Sequence, residues 1–326
     1  MTLTLAILTA GVLLLQDPAP AKEIKITELP AFPVPVASFG GAVSDGWLYV
    51  YSGHIGTQHA HSKENLYPGF LRLNLADPKK WEELPGGQPL QGMPLVSHGG
   101  KLYRVGGLSA RNEAKDKADL HSVETVAEFD PSTKKWVDFA PLPEGRSSHD
   151  AVVVGDKLYV VGGWKLAGED QEWLPASLVL DLKNPTTGWK KIADPPFQRR
   201  ALAVAAARNK IYALGGMDSD NKPSAEVDVY DIATDKWSKG PAIPGSGRNA
   251  FGVAAVGVGD DVYTSTLDGV INRLNATGEG WDQVGKLPSG RFFHRLLPAG
   301  ADELVIVAGA NMKEGHLASV GLLRVK

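Results

Sequence analysis

Four arginines occupy nearly the same place in a recurring pattern. Arg146, Arg199, Arg248 and Arg291 stand 13 to 15 residues before Tyr159, Tyr212, Tyr263 and Val305. Guanidinium groups gathered around one opening would bind carboxylate or phosphate, because their planar donors match those anions. The same place could instead serve to brace neighbouring loops, and Arg200 could add to either use. Three residues after two of these arginines come His149 and His294. Imidazoles there could act as general acid and base, or bond to a neighbouring strand or a trapped water. A further group, His54, His59 and His61, lies in the segment HIGTQHAHSKENLYPG. Its side chains suit Zn or Cu, but the spacing matches no fixed metal motif, so no metal and no cofactor is expected. Trp164 begins the corresponding segment of a later unit and could stack on a sugar ring or pack against its neighbour.

What must position these residues is a unit repeated about every fifty residues. Tyr49, Tyr103, Tyr159, Tyr212 and Tyr263 each follow an apolar run, and most precede a glycine pair. Trp81, Trp136, Trp189, Trp237 and Trp281 close the units near Leu-Pro or Pro-Pro. Short alternating strands at this period predict an all-β fold, a β-propeller with four strands per blade. The units 31–88, 89–143, 144–196, 197–245 and 246–288 are five blades. The sixth, 289–326, lacks a Trp strand, and Ile24-Lys-Ile26-Thr-Glu-Leu29-Pro30 matches the missing piece. A strand from 23–29 should therefore join the last blade and close a six-bladed ring, leaving no open edge. With strands a to d running outward, the d–a and b–c loops share one face. The arginines, His54 and Trp164 belong to that face.

The units Arg146-Ser-Ser-His149 through Gly162-Gly163 and Arg199 through Gly215-Gly216 resemble kelch repeats. The resemblance covers about residues 23–326 and implies a six-bladed propeller whose d–a/b–c face commonly takes the ligand. It leaves the activity open. Galactose oxidase is a propeller enzyme of this type, but its cofactor needs a Cys-linked Tyr and this chain has no cysteine. The exported kelch epimerases of N-acetylneuraminate are similar in size and leading segment. That resemblance implies a mutarotase acting on a sialic-acid-like sugar as the alternative to a non-catalytic binding module.

Composition narrows the partners. The formal charge is −3 and no Lys/Arg block occurs, which argues against nucleic acid. Absence of cysteine removes disulfides and thiolate chemistry. Met1–Leu15 is apolar and uncharged, too short for a comfortable span, and Ala19-x-Ala21 resembles a signal cleavage site. The expectation is a signal peptide at 1–21 and one exported domain at 22–326, periplasmic or extracellular. An uncleaved anchor is the alternative. The expected role is a monomeric binding module for a small anionic sugar or an acidic peptide, with no membrane contact beyond the leading segment.

Overall fold

The computed structural model describes residues 24–325, so the expected signal segment lies outside the described residues. Strands dominate, and the helices among the described residues are three short 3-10 turns. None is long and apolar enough to cross a membrane. Six four-stranded antiparallel sheets form the blades. Their innermost a strands are Gly40–Ser44, Leu95–His98, Asp150–Val154, Ala203–Ala207, Ala254–Val258 and Arg295–Pro298. Blade 3 is typical. Asp150–Val154 pairs with Lys157–Val161, which pairs with Leu178–Asp181, which pairs with Lys190–Lys191.

The ring closes as the sequence suggests. Ile26–Leu29 pairs antiparallel with Val320–Leu323 and supplies the outer strand of blade 6. Ile24 is buried in the cluster between blades 5 and 6. Each repeated tryptophan clasps the blade before it. The indole N–H of Trp81, Trp136, Trp189, Trp237 and Trp281 donates to the carbonyl of Pro30, Pro85, Ala140, Ala193 and Pro241 in turn. Pro30 belongs to the closing segment, so the first blade grips the last by the same bond that joins the others.

The glycine pairs have a steric cause. A Cβ on Gly107 would lie 3.0 Å from Met93, and one on Gly163 2.7 Å from both His149 and the Ser147 carbonyl. Both glycines have positive φ, a region open to glycine at little cost. Ser52 and Ala308 hold the place of the first glycine in blades 1 and 6 and adopt the same left-handed backbone.

A second repeated device surrounds the channel mouth. Just before each a strand one residue is left-handed: Ser38, Gly92, Ser148, Ala201, Gly252 and Phe293, with φ between 51° and 60°. Their backbones bond from blade to blade. The amides of Gly92, Ser148, Ala201, Phe293 and Ser38 donate to the carbonyls of Ser38, Gly92, Ser148, Gly252 and Phe293, at 2.7 to 3.1 Å. This register aligns Arg146, Arg199 and Arg291 with Val36, Leu90 and Ala250. The carbonyls of Val36, Leu90, Arg146, Arg199 and Ala250 all accept from the second glycine of the preceding blade.

Below this ring the channel is barred. The Arg295 guanidinium donates to Asp150 (2.9 Å) and to the Phe39 and Met93 carbonyls (3.3 and 3.2 Å). Blades 3 and 6 face each other across a six-membered ring, so this ion pair is a strut spanning the channel. Asp150 also accepts from the Val204 amide at 2.9 Å, which ties blade 4 to the strut. Beneath it lies a cavity of about 260 Å³ lined by the a strands of all six blades.

Candidate functional site

Above the strut, on the d–a and b–c loop face, is a cavity of about 450 Å³. That volume suits a small ligand. All six left-handed residues form its throat. Two elements raise its walls. The segment after Gly107 and the one after Gly163 join in an additional four-stranded sheet, Leu108–Ala110, Leu120–Ser122, Trp164–Ala167 and Asp170–Trp173. The polar stretch ARNEAKDKADLHS is therefore partly strand, and Leu108, Leu120, Trp164 and Leu166 face the cavity. On the far side Phe251, Phe292 and Phe293 form a cluster with centroids 5.0 to 5.9 Å apart.

The polar lining is one-sided. It contains Arg200, Arg295 and six of the eight histidines, and among the described residues no Asp, Glu or Lys. Arg200 stacks on Trp164 at 4.1 Å and donates to Met217 Sδ (3.0 Å) and Asn221 Oδ1 (3.4 Å). Among the described residues no ion-pair partner holds it. Burial lowers its pKa from the ordinary arginine value. Arg200 Nε and Trp164 Nε1 are buried donors without partners. Arg295, by contrast, is already neutralised by Asp150.

His149 and His294 lie at the floor, 3 % exposed each. Neither ring makes a well-formed hydrogen bond, though the Val105 carbonyl lies near His149. Burial first, then Arg146 and Arg295 for His149 and Arg291 and Arg295 for His294, hold both well below the usual imidazole range. They are neutral at neutral pH. The same place holds Leu202 and Val253 in blades 4 and 5, so packing alone does not call for histidine there.

The arginines singled out by phase are elsewhere. Arg146, Arg199 and Arg291 are buried, bonded within their own blades and outside the cavity lining. Arg146 donates to Gly162 O (2.8 Å), and Arg291 to Ala308 O (3.2 Å) and Ser319 Oγ (3.1 Å). Arg199 donates to Gly215 O, Glu226 O and Asp228 Oδ2. Burial pulls Arg146 and Arg291 down to about 10, still cationic at neutral pH. Their Nη1 donors go to carbonyls of the first residue of each glycine-pair place, which makes them braces, while the Nε of each, like that of Arg200, is buried without a partner. Arg248 is exposed on the turn Gly247–Ala250, and Ala250 holds the bracing place in blade 5. The two-residue offset of Arg248 was the signal. The cavity arginine is instead Arg200, one place further on.

His54, His59 and His61 do line the cavity, joined by His316 from blade 6. His54 Nε2 donates to Ala60 O (2.7 Å), and its Nδ1 lies 3.0 Å from His316 Nε2. His61 Nδ1 meets Gln91 Nε2 at 3.1 Å. Both nitrogens of His54 are thus engaged. No group of three His, Asp or Glu among the described residues is arranged to hold a metal ion. Burial pushes His54 down to about 4 and lowers His61 and His316 as well.

Fold and cavity together define a propeller with a ligand-sized chamber at one mouth of its channel. The family described as "KLHDC2/KLHL20/DRC7 Kelch-repeats domain" matches residues 43–266, and the chain belongs to the kelch-repeat family. Beta-scruin of Limulus polyphemus is 29% identical over 227 residues, 68% of this chain and 23% of that protein. Kelch repeat and BTB domain-containing protein 12 of Danio rerio is 24% identical over 216 residues, 63% of this chain and 34% of that protein. The chain thus spans about a quarter to a third of the length of these curated relatives. The solved "Structure of YjhT" superposes with a TM-score of 0.73 at 21% identity, covering 91% of this chain and 97% of that one. That likeness is one of fold.

Proposed function

We propose that this chain is a binding module whose upper cavity takes an anionic, acceptor-rich ligand, an acidic sugar or the acidic end of a peptide. One observation carries the reading. Arg200, stacked on Trp164 and paired with no carboxylate among the described residues, lines a cavity whose described lining contains no acidic side chain. A part-buried cation without a counter-charge favours an anionic partner, so a ligand bearing an acidic group is the natural complement. Arg200 supplies the charge and Trp164 the flat face for a sugar ring. The test is calorimetric titration with N-acetylneuraminate, neutral N-acetylglucosamine and an acidic peptide. Binding of the acidic sugar that falls at least tenfold in Arg200→Met supports the reading. Equal binding of neutral and acidic sugars refutes it.

The mutarotase reading draws on a separate observation, the two unbonded neutral imidazoles at the floor. Such groups can take and return a proton. Proton NMR of anomer exchange tests this, and a rate equal to the buffer's, or unaltered in His149→Ala and His294→Ala, would dismiss it. We also place the protein outside the cytoplasm, on the strength of the apolar Met1–Leu15 and the Ala19-x-Ala21 pattern. A mature chain beginning at Lys22, read by mass spectrometry of the exported fraction, is the expected result.

A further inference from the structure

Proton counting at the His54–His316 contact leads beyond simple anion capture. Four ring nitrogens form a chain between two carbonyls. His316 Nδ1 faces Gly56 O at 2.8 Å, His316 Nε2 faces His54 Nδ1 at 3.0 Å, and His54 Nε2 faces Ala60 O at 2.7 Å. A carbonyl only accepts, so the two outer nitrogens must each carry a proton. Two neutral imidazoles hold two protons in all. The inner nitrogens would then present lone pairs to each other at 3.0 Å, which is repulsive. A third proton turns that contact into an N–H···N bond and gives the pair a single positive charge.

Among the described residues no carboxylate bonds to either ring of the pair. From the same loop, His59 and His61 oppose the added charge. Lys63 is paired with Glu113, and Glu64 bonds to Ser62. On the blade 6 hairpin, Lys313 and Glu314 flank the contact, and Glu314 is engaged by Asn311 Nδ2. Across the cavity stand Arg200, a cation, and Arg295, whose charge Asp150 offsets. Burial also disfavours the charged form.

We infer that the His54–His316 pair takes up one shared proton together with the anionic ligand, so that the cavity binds anion and proton as a unit. This rests on the anion-binding reading above. The proton makes the inner hydrogen bond, and the anion supplies the missing counter-charge; each favours the other by linkage. Because the pair joins the b–c loops of blades 1 and 6, the bound state also holds the seam where the ring closes. Anion affinity must then rise as pH falls.

The experiment is calorimetric titration of the full chain with N-acetylneuraminate between pH 6 and 8, in buffers of different ionisation enthalpy. Expected is uptake approaching one proton per ligand, and an affinity that weakens up to about tenfold per pH unit. In His316→Gln the uptake should largely vanish and the pH profile should flatten. Affinity independent of pH, or uptake unaltered in His316→Gln, overturns the inference and leaves anion binding standing. No binding at any pH removes both. Histidine ¹⁵N spectra of the ligand-free chain give a second check. One proton titrating across coupled rings supports the pair, and two rings gaining protons independently overturn it.

Discussion

The strut across the channel can be tested by a double-mutant cycle. Arg295→Met removes two hydrogen bonds to the Phe39 and Met93 carbonyls and strands the Asp150 carboxylate. At about 1 kcal/mol for each backbone bond and about 2 kcal/mol for the stranded, largely buried carboxylate, the loss should be about 4 kcal/mol. Asp150→Asn keeps an acceptor for the Val204 amide but leaves Arg295 without its counter-charge. With the Arg295 side chain 24% exposed, water softens that loss to about 2 kcal/mol. In the double variant no charge is stranded and only the two backbone bonds are lost, so about 2 kcal/mol is expected where simple addition gives about 6 kcal/mol. The coupling of about 4 kcal/mol is the signature of a direct pair. Urea unfolding followed by circular dichroism, without ligand, measures all four corners. If the two single losses add to within about 0.5 kcal/mol, the strut does not exist in solution.

Three further outcomes follow from the same geometry. Deleting residues 24–30 removes the closing strand, the buried Ile24 and the Pro30 acceptor of Trp81; the loss should be about 6 kcal/mol or more, seen as a large drop in melting temperature, and unaltered melting would sink the closure. Acid should weaken the fold. His54, His149 and His294 have depressed folded-state pKa values, so the unfolded chain binds more protons. Stability is present above about pH 6.5 and declines as pH falls toward about 4, and His294→Leu, copying Leu202, should flatten that decline in pH-resolved melting curves. Arg199→Met should destabilise by about 2 to 3 kcal/mol in chemical denaturation, because it loses two carbonyl bonds and leaves the fully buried Asp228 with Lys239 alone, whereas Arg146→Met loses a carbonyl bond and about 1 to 2 kcal/mol.

Much of the architecture was legible because it repeats. Spacing of Tyr and Trp marked the blades, and the likeness of Ile24–Pro30 to Trp81–Pro85 marked the closing strand. The face that carries the cavity followed from strand order, and Trp164, His149 and His294 do line that cavity. The arginines misled for a physical reason. A long cationic side chain at a strand start can turn outward to solvent or inward to a carbonyl, and residue type does not distinguish the two. Recognising that the glycine pairs leave carbonyls in need of donors would have favoured bracing. Arg200 was in view only as an addition. His316 escaped notice because 262 residues separate it from His54, although ring closure makes blades 1 and 6 neighbours. The left-handed residues carry no common side chain, being Ser, Gly, Ala and Phe, so nothing in the letters marked them.

The bar formed by Arg295 and Asp150 has a consequence for the shape of what can bind. A channel open at both ends could thread a polymer and hold it at an interior unit. Here the upper chamber ends blindly at the strut, so whatever enters must also leave through the same mouth. A polysaccharide or a peptide can therefore present only its terminus, and a branch or cap on that last unit would keep the whole chain out. A ligand of this cavity would be read by its end.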